Sequence, residues 1–325
     1  MDKRDTTVDV LKTIGLLGVV LAHTNPPDWL FNIRVFDVCM LVFASGLTLK
    51  YHGNSWKEYL LYLVKRFKRL VVPTWIFLLV YFGFSYFMSL NNDQWDYTLL
   101  DYVRSFTFTG GIDYIWIIRV YFLMAVVSPL IVKISGSALF KRYWFVSVLV
   151  LFVFNELLGQ ASGCINNEGV RKLVQGFLVY TLGYSIIEIV ACLAKSVRIR
   201  GGFFAVFSAA FLILWGFSGA ASPQTAKYPP QALYILYGLC VSIGVYCVLE
   251  QRRIPDDNIL AYAIRWLSSN SLWIYLWHIL PVTYLSKMGL GGVNFVVKWL
   301  LILVVACILT MAQNAVTYIL SKGKR

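Results

Sequence analysis

A chain of 325 residues is long enough for two soluble domains, but 59% of it is apolar or aromatic and only 14% is charged. Mean hydropathy is +0.68, whereas a soluble domain carries roughly a quarter charged residues, so the composition excludes a water-soluble protein. The net charge of +13, from 29 Lys and Arg against 16 Asp and Glu, would suggest nucleic acid in a soluble chain, and its distribution decides whether that reading stands.

A bilayer-crossing helix needs about 20 largely apolar residues. In chain order such stretches fall at 8–24, 31–50, 70–90, 112–133, 142–158, 172–194, 203–219, 231–249, 269–287 and 293–319. They predict an all-α integral membrane protein of about ten transmembrane helices, one domain over 1–325, with no stretch left for a separate soluble domain. With the N-terminus inside, twenty of the 29 basic residues fall on inner segments and seven on outer ones. Inner examples are Lys3, Arg4, the run Lys65, Arg66, Lys68 and Arg69, then Arg198, Arg252, Arg253, Lys324 and Arg325. That is the positive-inside asymmetry. The surplus charge is therefore a topological address, both termini are expected in the cytoplasm, and no nucleic acid is expected as a partner. Membrane lipids are, with the basic run anchored at anionic headgroups.

Lys3 and Arg4 before an apolar run resemble a signal peptide, but Lys12 interrupts the run and no small-x-small site follows Ala22, so the first helix is read as retained. The six cysteines show no CxxC spacing, which predicts neither a disulfide framework nor a metal site. The longest outer connector, 91–111, carries Asp93, Asp96 and Asp101 among aromatics and is expected at a lid or mouth.

Ionisable residues inside spans are costly and mark function by default. Here they are Asp9, Lys12, His23, Asp37, Arg119, Glu188, His278 and Lys298. Eleven residues at 100° each bring His23 to within about 20° of Lys12, so both project from one helix face, about 16 Å apart along the axis. Asp9, three residues before Lys12, is placed to pair with it. Asp37 either orients His23, as a carboxylate fixes an imidazole tautomer, or pairs locally with Arg34. Arg119 either stabilises an oxyanion or pairs with Asp113. Glu188 and Lys298 lie where long side chains reach an interface and are weaker candidates. His278, among Trp273, Tyr275 and Trp277, is either a packing histidine or a site-lining one.

The segment Asp9-Val-Leu-Lys12 through to His23 resembles the first helix of the membrane-bound acyltransferase 3 family, which carries a basic residue, ten intervening residues and a histidine. Four further stretches are similar and follow in the family's order. They are Val42-Phe-Ala-Ser45-Gly46, Lys65-Arg66-Phe-Lys-Arg69 up to Pro73, Tyr114-Ile-Trp116-Ile-Ile-Arg119, and Ser271-Leu-Trp-Ile-Tyr275-Leu-Trp-His278. Tyr228-Pro229-Pro230 also resembles its polysaccharide-modifying members. The family's first basic residue is most often arginine. Lys12, which fucose O-acetylase-like relatives share, lacks the planar fork that grips an anion through two bonds.

The resemblance implies an O-acyltransferase of the bacterial cytoplasmic (inner) membrane. It would move an acyl group, with acetyl the expected one, from cytoplasmic acyl-CoA to a hydroxyl of a surface polysaccharide or lipid-linked glycan. Acyl-CoA is then a co-substrate, and no permanently bound cofactor is expected. His23 is the expected general base, with transient acylation of His23 as the alternative; Asp37 and Arg119 complete the expected catalytic set. Lys12, Lys65, Arg66, Arg69 and His278 are expected along the acyl-CoA path. Two rival readings remain: a transporter or flippase using buried Lys, Asp and His as a relay, and an acyltransferase with a non-glycan acceptor.

Overall fold

The computed structural model describes residues 5–90, 97–196, 200–251, 258–287, 289 and 292–322. Expectations resting on Lys3, Arg4, Asp93, Asp96, Arg198, Arg252, Arg253, Lys324 and Arg325 lie outside the described residues. Among those described, every regular element is helical. They are α1 (Thr6–Ala22), α2 (Asp28–Ile33), α3 (Asp37–Leu47), α4 (Trp56–Ser89), α5 (Leu99–Phe106), α6 (Trp116–Gly136), α7 (Ala138–Arg142) and α8 (Trp144–Gly163). Then follow α9 (Glu168–Val174), α10 (Tyr180–Ser196), α11 (Arg200–Phe217), α12 (Ala232–Gln251), α13 (Ile259–Ser269), α14 (Ser271–Lys287) and α15 (Phe295–Lys322).

Each predicted span meets a helix, and seven of these are long and apolar enough to cross a membrane. The shorter ones are instructive. α1 and α14 have 17 residues each, about 25 Å at 1.5 Å per residue, against roughly 30 Å of hydrocarbon. They are also the helices that carry Lys12 and His278. A helix surrounded by protein escapes the hydropathy that a lipid-facing span must have. α4 shows the opposite excess: its 34 residues rise about 51 Å, so its first half, with the basic run, extends past the apolar layer. Ser55 and Glu58 close its N-terminus as a capping box.

Lipid offers helices no hydrophobic drive to associate, so close van der Waals approach at small residues holds the bundle together. α1 packs on α3, and α3 on α10 and α12. A Cβ at Gly15 would lie 2.9 Å from the Asp37 carbonyl oxygen and 2.7 Å from Leu41 Cγ, and one at Gly46 would lie 2.8 Å from the Glu188 carbonyl oxygen. Glycine is what lets α1, α3 and α10 meet backbone to backbone. Between α9 and α10 the helix widens into a π turn at Gln175–Val179. A Cβ at Gly176 in that turn would lie 2.8 Å from Arg119 Nη2.

The outer connector is ordered where it is described. Thr98 and Asp101 form a capping box at the start of α5. The Thr98 hydroxyl, then its backbone amide, hold the Asp101 carboxyl below its usual range. Asp101 is thus a cap of the connector's helix.

Candidate active site

Three cavities run through the bundle in series. The first, about 590 Å³, lies between the start of α1 and the α13–α14 junction and is lined by Asp9, Lys12, Arg69 and Ser268 among others. The second, about 430 Å³, shares Lys12, Thr48, Arg69, Ser271 and Leu272 with the first and adds Arg66, Tyr62, Ser45, Ser128 and Glu188. The third, about 260 Å³, shares Ile117 and Tyr275 with the second and holds His23, Arg34, Asp37, Tyr114, Trp116, Gln224, Lys227 and Tyr228. Lys12, where the first two cavities meet, and His23, in the third, therefore lie along one series of cavities, as their common helix face requires. Tyr275 and Ile117 form the partition, and the Tyr275 hydroxyl donates to the Tyr114 carbonyl.

His23 is the C-terminal cap residue of α1, which frees it from the helix and turns its ring into the third cavity. The ring meets Tyr114 edge to face at 4.8 Å and His278 at 5.4 Å between centroids. His278 is fully buried. Its Nδ1 bonds the Tyr275 carbonyl, which in the neutral ring makes Nδ1 the donor and leaves Nε2 an acceptor. That Nε2 is buried with no hydrogen-bond partner among the described residues.

Asp37 has both of its expected options answered. Its Oδ2 accepts from Arg34 Nη1 at 2.7 Å, its Oδ1 lies 3.3 Å from Lys227 Nζ and also accepts from the Val38 amide. All three side chains are buried. The local pair with Arg34 forms, and Asp37 acts at the site by holding two cations beside His23.

Arg119, Lys65, His278 and Asp9 lie outside the lining of the His23 cavity. Arg119 does not line the His23 cavity: its Nη1 donates to the Phe108 carbonyl at 2.7 Å and its guanidinium stacks over Phe177. It ties the loop after α5 to the α9–α10 turn. Lys65 is exposed and lines neither inner cavity. Arg66 and Arg69 do, although Lys65, four residues before Arg69, is only about 40° from it around the helix. His278 stands behind His23 and lines none of the three cavities. Asp9 shares the first cavity with Lys12 and accepts from the Ser268 hydroxyl at 2.6 Å.

Lys227 and Glu188 are more deeply buried than their positions in the sequence imply. Lys227 counts in the sequence as an outer-loop cation, yet it is 3% exposed and joins Asp37 from 190 positions away. The adjacent Tyr228-Pro229-Pro230 stretch was the available signal. Glu188, read as an interface residue, is buried on the second cavity with its Oε2 unpartnered.

The arrangement can deliver a group from a cationic mouth at Lys12, Arg66 and Arg69 to an imidazole in an aromatic pocket. A family model described as "Acyltransferase domain" matches residues 5–318. No curated protein and no solved structure matches the chain.

Proposed function

The chain belongs to the acyltransferase 3 family and is a multi-pass membrane acyltransferase, and from that premise we propose that it transfers acetyl from acyl-CoA to a glycan hydroxyl. The observation that carries this reading is the series of cavities joining Lys12, Arg66 and Arg69 to His23. A coenzyme A donor is polyanionic at one end and reactive at the other. Cations at the inner mouth suit its phosphates, and a series of cavities suits a long pantetheine arm. Arg66 is also braced over the Tyr62 ring at 5.0 Å.

The acceptor hydroxyl is a poor nucleophile at neutral pH. In the proposed step His23 takes its proton as the oxygen attacks the thioester carbonyl, and the thiolate of CoA leaves, taking that proton in turn. Tyr114, Trp116 and Tyr228 offer ring faces to a sugar. The donor's phosphates stay on the cytoplasmic side of a bacterial inner membrane while surface glycan is modified at the outer end, which requires Tyr275 and Ile117 to part.

Purified protein in detergent, where no gradient exists, is given radiolabelled acetyl-CoA and glycan acceptors. Label appearing in glycan supports the transferase. Its absence, with gradient-driven glycan movement in vesicles, would replace this reading with the transporter.

A further inference from the structure

The outer pocket holds an uncompensated charge. Among its lining residues, His23 apart, are two cations, Arg34 and Lys227, and one carboxylate, Asp37. Their exposures are 4%, 3% and 1%. Asp113, before Trp116, is exposed and does not line the pocket. A buried charge is retained only where something pairs with it, and Asp37 cannot neutralise both cations.

The hydrogen-bond inventory points the same way. Arg34 gives Nη1 to Asp37 and lies over Phe31 at 4.1 Å, and its Nε is buried with no hydrogen-bond partner among the described residues. Nε and Nη2 form the edge of guanidinium that takes a carboxylate or phosphate through two parallel bonds. Lys227 spans Asp37 and the Tyr228 ring, 5.5 Å away. Gln224, on the same wall, has a buried Oε1 with no partner, suited to a sugar hydroxyl.

We propose that the outer pocket selects an acceptor bearing an anionic group, a carboxylate or a phosphate, which completes the Arg34–Asp37–Lys227 cluster and holds the neighbouring hydroxyl at His23. This rests on the transferase reading and adds the substrate class to it. The pocket's 260 Å³ is below the roughly 300–1,000 Å³ of drug-sized sites, so it takes one charged residue of the glycan.

The test uses purified full-length protein in detergent with acetyl-CoA and three acceptor sets: neutral oligosaccharides, uronic acid-bearing ones and phosphate-bearing ones. One anionic set is expected to exceed the neutral set in kcat/KM by at least about tenfold, and which one names the source of the charge. Lys227→Gln abolishes that preference and Lys227→Arg keeps it. Should Lys227→Gln not fold, Arg34→Lys, which keeps the charge and loses the fork, is expected to lower the preference. Equal kcat/KM for all three sets in the wild type overturns the proposal. So does a Lys227→Gln enzyme impaired alike on neutral and anionic acceptors, because the cation would then serve a step common to all of them. If no acceptor is acetylated, the transferase reading fails, and thermal stabilisation by millimolar glucuronate or glucose 1-phosphate over glucose decides this one. Lys227-dependent stabilisation keeps the anion site, and no difference from glucose removes it.

Discussion

α14 and α15 follow one another in the chain and pack along each other, yet they meet opposite surroundings. In α14 six consecutive residues, Ile274 to Ile279, are buried, His278 among them. α15 has the highest mean hydropathy of any span, 2.6, but only 17% of its apolar window is buried. Its buried positions Ile302, Ala306 and Thr310 recur every four residues as a single stripe. In water the more apolar helix would be inside. In lipid the tails are as apolar as leucine, so hydropathy reports contact with the bilayer and polar groups are tolerated where protein surrounds them. His278 accordingly sits on a helix stretch that protein surrounds on every side.

That contrast can be broken by substitution. The largest effect is expected at the end of α1: His23→Ala should lower acyl transfer by about 10²–10⁴-fold, measured with purified protein of unchanged helicity. Full transfer by that variant would return the buried histidines to packing. Next comes the direct comparison of the paired helices. Trp277, 8% exposed and donating its Nε1 to Gln313 on α15 at 2.7 Å, should cost about 3–5 kcal/mol on truncation to Ala. Ile308, 53% exposed on α15, should cost less than about 0.5 kcal/mol. Thermal unfolding in detergent checks both, and equal losses would erase the distinction. A Leu at Gly46 should destabilise by about 1–3 kcal/mol through overpacking against α10, whereas Leu at Gly216, where a Cβ would meet nothing within 4 Å, should leave the unfolding midpoint unmoved. The smallest functional change is at the inner mouth. Lys12→Gln should raise KM for acyl-CoA about tenfold by removing one charge-assisted contact, with kcat little altered; a change in kcat alone would detach Lys12 from donor binding.

Much of the fold was legible because lipid-facing residues must be apolar. Each of ten stretches met a helix, including α1 and α14, which length and hydropathy alone leave in doubt. The site was legible only in part. Lys12 and His23 stood out because eleven residues return a helix to the same face, and Arg66 and Arg69 as members of the basic run before Pro73.

Apolar run length by itself therefore determined the all-α class, and helical periodicity the shared face of Lys12 and His23, since both depend on neighbours within one element. Only the tertiary structure decided what Arg119, Lys227 and His278 do. Arg119 binds the Phe108 carbonyl across a loop, Lys227 reaches Asp37 from 190 positions away, and His278 meets His23 across the bundle. Their surroundings come from other helices, and a buried cation costs too much to be left unpaired. Its role is set by whichever partner the packing brings to it, which local sequence does not encode.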